Sequence, residues 1–347
     1  MPDYRAMDEA LATIAASAPD LRNGLTNHAP MAVEALAAMG RADAVLPWLA
    51  GYRTGFLPRP SGRARIERDA WQAALGHEDR FADWVAFFRD ELSEAPWQAV
   101  VARWSVRLAP AQCAAATHGV IRVAHAARSL AQAETPLRRD ELADGLAYWA
   151  ATHQTLPTAP FDGRARRAAD ALGAVPVVPP AARRFTGTIV SSLQALEEFA
   201  PFAPTIGLLD VTGSVEKVVS DVSETFARVF VANAHDVLTA IVFVHAVTSV
   251  AALRSLVPYV PDVAAREAVR WSWQASAALY ATFSSAPAAV DVAPPRASNA
   301  TLVDQAIATR DEHAIKMTEA CLREWALRPS PAYLAAAQRA SALLRPR

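Results

Sequence analysis

Lysine is nearly absent from this 347-residue chain, in which only Lys217 and Lys316 are lysines among 34 cationic side chains. Lys316 lies in a segment of helix formers, residues 311–321, which contains neither glycine nor proline. On a helix it shares a face with His313, three residues earlier. A buried primary amine can be neutral, form a Schiff base or take up carbon dioxide as a carbamate, whereas a guanidinium stays charged. The alternative interpretation is a surface lysine whose ammonium reaches solvent.

The chain also has few cysteines and almost no net charge. The two cysteines, Cys113 and Cys321, form no CxxC pair, which excludes a disulfide framework and predicts a reducing, cytoplasmic environment. No apolar run of signal-peptide type follows the first five residues. The net charge of −1 offers no electrostatic footprint for nucleic acid or an anionic membrane, so we expect neither partner. The longest apolar stretch, residues 237–253, contains His245, and we interpret it as a buried helix.

Several motifs of common enzyme classes are missing. No GxGxxG follows a predicted strand, which argues against a flavin monooxygenase of the two-Rossmann kind. No HExxH, P-loop or GxSxG occurs either, which argues against zincins, nucleotide triphosphatases and α/β-hydrolases. Any use of NADPH would therefore need a different kind of site or an external reductase.

Glycine is limited to 13 residues, alanine is abundant, and the alternation typical of strands is almost absent. The sequence therefore predicts an all-α fold. We interpret residues 1–347 as one domain, a single large irregular helical bundle. Prolines separate the predicted helices, and two proline-containing segments, near 155–184 and 284–299, predict long loops.

The spacing of the eight histidines limits which of them can bind the same metal ion. On one helix His118 and His125 would lie about 10 Å apart, and His235 and His245 roughly 15 Å apart, so one metal ion could take one of each pair and hardly both. One histidine from each of several helices, together with His313, is how a metal site inside a helical bundle is built. The alternative is that each is a hydrogen-bonded core residue.

Four short motifs resemble, in order, motifs of the questin oxidase-like family. They are Asn27-His28-Ala29-Pro30-Met31, Thr117-His118-Gly119-Val120-Ile121-Arg122, Val244-His245-Ala246-Val247-Thr248 and Asp311-Glu312-His313-Ala314-Ile315-Lys316. The resemblance spans about Leu21 to Ala326, nearly the whole chain.

The resemblance implies an oxygenase of secondary metabolism, monooxygenase or dioxygenase, that acts on a polycyclic aromatic or quinone-type metabolite with dioxygen. It implies a mononuclear non-haem Fe(II) and carbon dioxide bound as a carboxylated lysine. By motif, the metal ligands would be His28, His118, His245, His313 and Lys316, with His235 in reserve. Lys316, His118 and Arg122 would be catalytic. Candidates for partners of the imidazole N–H groups are Asp236, Thr248, Asp311 and Glu312. For Asp311 and Glu312 the alternative is a pair of acids that stabilise the N-terminus of a helix.

Two other functions fit the same sequence. One is a Baeyer–Villiger-type monooxygenase that takes electrons from NADPH and has no bound iron, the type of reaction associated with questin oxidase. The other is a noncatalytic helical protein that binds an aromatic ligand. Arg122 would bind an anionic phenolate or carboxylate, or pair with an acid such as Glu141. The sequence makes no prediction of oligomeric state.

Overall fold

The computed structural model describes residues 1–185 and 187–345 and has the predicted all-α fold. Within those residues the strands are limited to β1 (Ser17–Leu21) and β2 (Phe56–Pro58), which pair antiparallel with Ser17 opposite Pro58 and Leu21 opposite Phe56. All other regular secondary structure in these residues is helical, because an alanine-rich, glycine-poor chain favours helices over strands.

Backbone contacts divide the chain into two compact units. The first comprises Met1–Gln154 with Ser255–Val260, and the second comprises Thr155–Arg254 with Pro261–Arg347. Each unit has a hydrophobic interior of its own side chains. That the chain forms one domain stays a prediction.

The first unit packs α4 and α6 against α7, and α2 against α6. Its helices are α1 (Met7–Ile14), α2 (Ala29–Ala38), α3 (Ala42–Tyr52), α4 (Phe81–Glu94), α5 (Trp97–Leu108), α6 (His118–Gln132) and α7 (Pro136–Ala151). Pro30 lies in the first turn of α2, where its missing N–H costs no helical hydrogen bond. Packing of α2 on α6 brings together the first turns that carry His28 and His118.

The second unit packs α11 against α10, α12 and α14, and α15 against α14, α10 and α13. Its helices are α8 (Ala168–Leu172), α9 (Ile189–Leu193), α10 (Val215–Asn233), α11 (Val237–Ala252), α12 (Asp262–Phe283), α13 (Asn299–Thr309), α14 (Glu312–Leu327) and α15 (Pro331–Leu343). A capping box of Asp236 and Thr239 begins α11, and the Asp311 carboxylate caps α14.

The two segments predicted as loops are mostly irregular. The first, 155–184, contains α8, a 3-10 turn at Pro180–Ala182 and a parallel bridge between Arg166 and Leu209. Residues 284–298 form neither helix nor strand before α13 begins.

The apolar stretch that contains α11 is long and apolar enough to cross a membrane by length and composition, from Val237 to Tyr259 with a mean hydropathy of 1.8. However, 72% of its most apolar window is buried inside the protein. Such burial is what a core helix shows, because a core helix is enclosed by its neighbours on several sides. The structure therefore places this stretch where the sequence predicts a buried helix.

Candidate metal centre

His28 and His118 meet in the first unit. His28 is the residue before α2 and His118 is the first residue of α6, and both are buried. Their Nε2 atoms lie 2.6 Å apart, and the rings are nearly perpendicular with centroids 4.5 Å apart. Two imidazole nitrogens thus face each other at the point where the two helices begin.

An unusual backbone turn places His118. Ala115, Ala116 and Thr117 have φ angles of 46°, 55° and 73°, three consecutive left-handed residues without a glycine. Each costs roughly 1–2 kcal/mol relative to a right-handed conformation, so the surrounding packing must impose it. The turn brings the carbonyl of Ala115 to Nδ1 of His118. Because a carbonyl only accepts, Nδ1 carries the proton and the Nε2 lone pair faces His28.

Gly119 allows α6 to lie against α7. A Cβ at this position would come within 2.6 Å of the ring of Trp149, which is fully buried and donates its indole N–H to the carbonyl of Ala111 at 2.8 Å. We therefore expect Gly119→Ala to lower the free energy of unfolding by about 1–3 kcal/mol, as overpacking does. Denaturant unfolding would measure this loss.

The control for this prediction is Gly51→Ala in α3. A Cβ at Gly51 meets nothing within 4 Å, so the change should raise the free energy of unfolding by roughly 0.5–1 kcal/mol through helix propensity alone. Equal stability changes in the two variants would contradict the packing explanation for Gly119.

Tyr52 holds His28 from the side away from His118. Its hydroxyl accepts the backbone N–H of His28 at 3.1 Å and lies 3.5 Å from Nδ1 of the same residue. The Tyr52 ring stacks on Trp48 with centroids 4.6 Å apart, which keeps the hydroxyl in place. A hydroxyl both donates and accepts, so Tyr52 can hydrogen-bond either tautomer of His28.

His245 and His313 meet in the second unit, on the neighbouring helices α11 and α14. Both are buried, and their ring centroids lie 5.3 Å apart. Nδ1 of His245 lies 2.8 Å from the carbonyl of Ile241, one helical turn earlier. Because a carbonyl only accepts, Nδ1 of His245 carries the proton and Nε2 carries the lone pair.

The residues that precede His313 also have a special conformation. Arg310 is left-handed with φ 58°, and Asp311 follows as the cap of α14, accepting from the backbone N–H groups of His313 and Ala314 at 2.8 and 3.2 Å. The same Asp311 oxygen lies 3.4 Å from Nδ1 of His313, and a Glu312 oxygen lies 3.7 Å from it. Asp311 therefore caps the helix and orients the imidazole.

Lys316 lies one turn after His313, and its side chain is 1% exposed. Among the residues that the structure describes, its Nζ has no hydrogen-bond partner. Burial lowers the pKa of Lys316 to about 8, although Glu312 and Asp311 oppose the shift. A surface lysine would be solvated, so the structure contradicts the surface interpretation of this residue.

The four histidines form two buried pairs, His28 with His118 in the first unit and His245 with His313 in the second. In all four, Nδ1 has an oxygen within 3.5 Å. Metal-binding imidazoles likewise direct one nitrogen to the metal and hold the other beside an oxygen. The chemistry of these donors therefore fits a metal ion.

The chain matches a known protein family over the region that contains these residues. A family model described as Questin oxidase-like matches residues 25–321, which include all four histidines and Lys316. The chain belongs to the questin oxidase-like family. No curated protein matches the chain.

Two of the predicted site residues of this questin oxidase-like protein lie in other surroundings. The His235 side chain is exposed beside Arg339, with Nδ1 3.4 Å from a guanidinium nitrogen, and belongs to neither histidine pair. Arg122 is buried and donates to both oxygens of Glu141 at 2.7 and 2.9 Å, with Asp144 at 3.5 Å. The structure thus realises the alternative in which Arg122 pairs with Glu141.

The partners of the imidazoles were only partly foreseen from the sequence. Asp311 and Glu312 lie beside His313 as the motif suggested, whereas Asp236 caps α11 and the Thr248 hydroxyl donates to the carbonyl of Val244. Ile241 is four residues before His245, so helix geometry would have indicated its carbonyl. No local signal pointed to Tyr52, which reaches His28 only because α3 folds back on α2.

Proposed function

We propose that this questin oxidase-like protein is a non-haem iron-dependent oxygenase. The observation that carries the proposal is the two buried pairs of imidazoles, His28 with His118 and His245 with His313, whose Nδ1 atoms lie within 3.5 Å of oxygens. Imidazoles with an oxygen ligand suit iron, and iron that keeps an open coordination position can activate dioxygen. The buried surroundings would exclude bulk water from this chemistry.

Lys316 would supply the oxygen ligand as a carbamate. Its neutral amine adds to carbon dioxide, forming an N–C bond and releasing one proton, and the product is an anion with two oxygens. Two observations support this role: Nζ is buried, and it has no hydrogen-bond partner among the described residues. Burial favours the neutral amine that the reaction requires.

The substrate would be a polycyclic aromatic or quinone-type metabolite. Family membership supports oxidation of an aromatic substrate. The reaction would be oxidative ring cleavage or oxygen insertion, with NADPH as an electron donor if external electrons are required.

Metal content tests the site directly. Freshly purified wild-type protein should contain close to one iron per chain by inductively coupled plasma mass spectrometry. His245→Ala should bind iron at least about tenfold more weakly and purify with less of it, because the change removes one ligand. His235→Ala is the matched control, since this exposed histidine belongs to neither histidine pair and its loss should leave the iron content unchanged.

Oxygen uptake then separates the candidate functions. With a hydroxyanthraquinone as probe, uptake that a ferrous chelator stops and added Fe(II) restores would support the iron oxygenase. Uptake that follows NADPH and ignores the chelator would favour the iron-free monooxygenase. Tight binding of the quinone without any turnover, in protein that contains no metal, would favour the binding protein.

A further inference from the structure

A chain of hydrogen bonds within the first unit ends at His118. The hydroxyl of Tyr148 donates to a carboxylate oxygen of Asp20 at 3.2 Å and lies 2.8 Å from the hydroxyl of Thr26. The Thr26 hydroxyl in turn lies 3.5 Å from Nδ1 of His118.

The donors and acceptors along this chain have one consistent direction. A carboxylate only accepts, so the Tyr148 proton points to Asp20 and the Tyr148 oxygen accepts from Thr26. The Thr26 oxygen then presents a lone pair to Nδ1 of His118. Burial raises the pKa of Tyr148, and so its hydroxyl keeps the proton that this direction needs.

The backbone around Thr26 is held firmly. Asp20 and Thr26 form an antiparallel bridge, and the N–H of Leu21 donates to the carbonyl of Leu25 at 2.8 Å. Gly24 allows the turn between them with its φ of 76°. On the other side, Tyr148 is 4% exposed in the last turn of α7, so neither hydroxyl has much freedom to move away.

We propose that Thr26 and Tyr148 are positioning residues of the metal centre. They hold the His118 ring on the side of Nδ1, together with the Ala115 carbonyl, so that Nε2 stays aimed at His28. Two hydroxyls thus connect the imidazole to the carboxylate of Asp20, in place of the direct carboxylate that often supports a metal-binding histidine. The inference rests on the proposed function, since it requires that His118 binds a metal.

Titration of metal-free protein with Co(II) tests the inference without measuring turnover. Tyr148→Phe and Thr26→Val, which each remove a hydroxyl and keep the shape, should weaken Co(II) binding by about 10–100-fold. The visible absorption bands of the bound Co(II) should also shift, because the ring orientation changes. Thr26→Ser keeps the hydroxyl and should bind within about threefold of wild type, a rescue that a purely structural role of the methyl group would not give.

Tyr333→Phe is the matched control. This tyrosine is also fully buried and donates its hydroxyl to the carbonyl of Ser220 at 3.2 Å, within the second unit. It should bind Co(II) like wild type.

Equal Co(II) affinities and identical spectra for wild type, Tyr148→Phe and Thr26→Val would overturn the inference while leaving the metal centre intact. Wild-type protein that binds no Co(II) would overturn the proposed function itself. If Tyr148→Phe does not fold, the difference in Co(II) affinity between Thr26→Val and Thr26→Ser tests the inference.

Discussion

Protein in which Lys316 is replaced by arginine is expected to purify without iron and to bind added Fe(II) at least about 100-fold more weakly than wild type. This loss is at least as large as the loss expected when a residue that only supports a metal ligand is removed. Arginine preserves the positive charge and the helix propensity, but a guanidinium stays protonated and forms no carbamate. Its larger, permanently charged group would also have to fit where Nζ is now buried. Iron content and Fe(II) titration in the presence of bicarbonate measure the effect.

Lys316→Met separates the role of the amine from that of packing. Methionine has a similar length and no charge, so it fills the same space without a buried polar group. Because Nζ has no hydrogen-bond partner among the described residues, this variant should gain about 1–3 kcal/mol in the free energy of unfolding of the metal-free protein. It should bind as little iron as Lys316→Arg. Full iron content in either variant would show that Lys316 is not a ligand.

Glu34→Gln is expected to lower the free energy of unfolding by about 3–5 kcal/mol, the cost of breaking a buried ion pair from one side. Glu34 is 0% exposed on α2, and its carboxylate accepts from Nε of Arg128 at 2.8 Å and lies 2.6 Å from Nδ1 of His125, both on α6. The hydroxyl of Tyr4 also donates to it. Glutamine would leave the Arg128 guanidinium without its counter-charge.

An exposed pair of the same kind is the control. Glu94 binds Arg68 through two hydrogen bonds, at 2.6 and 2.5 Å, but the two side chains are 57% and 47% exposed. Glu94→Gln should therefore leave the free energy of unfolding almost unchanged, because solvent screens an exposed pair. Denaturant unfolding of both variants measures the difference. A loss of unfolding free energy in Glu34→Gln as small as that in Glu94→Gln would contradict a stabilising role of the buried Glu34–Arg128 ion pair. Because α2 and α6 also carry His28 and His118, Glu34→Gln should weaken metal binding as well.

The same carboxylate predicts an acid dependence. Burial by itself would raise the pKa of Glu34, but Arg128 and His125 outweigh it and hold that pKa below the ordinary 4.5. Its contribution to stability is then fully present above pH 4.5 and is lost as the pH falls below it. Between pH 5 and 3 the wild type should lose up to about 1.4 kcal/mol per pH unit more than Glu34→Gln. Parallel pH profiles for the two proteins would contradict this.

The spacing of the histidines accounts for much of what could be predicted. The distance argument allowed only one of His118 and His125 in a single site, and the structure places His118 against His28 and His125 beside Glu34. Spacing left His235 and His245 as alternatives as well. Burial separates them in the structure, because the backbone at His235 precedes the helix cap and exposes the ring, whereas His245 faces the packed side of α11.

By itself the sequence determined the all-α class and the family, because helix propensity, periodicity and short motifs are local properties of the chain. The choice of four histidines and Lys316 as metal ligands stays a prediction. Only the tertiary structure decided which atoms support those imidazoles. Tyr52 and Tyr148 lie 24 and 30 residues from the histidines they support, and the left-handed turn before His118 contains no glycine to announce it. Such features arise where packed helices impose a conformation that no local stretch of sequence prefers.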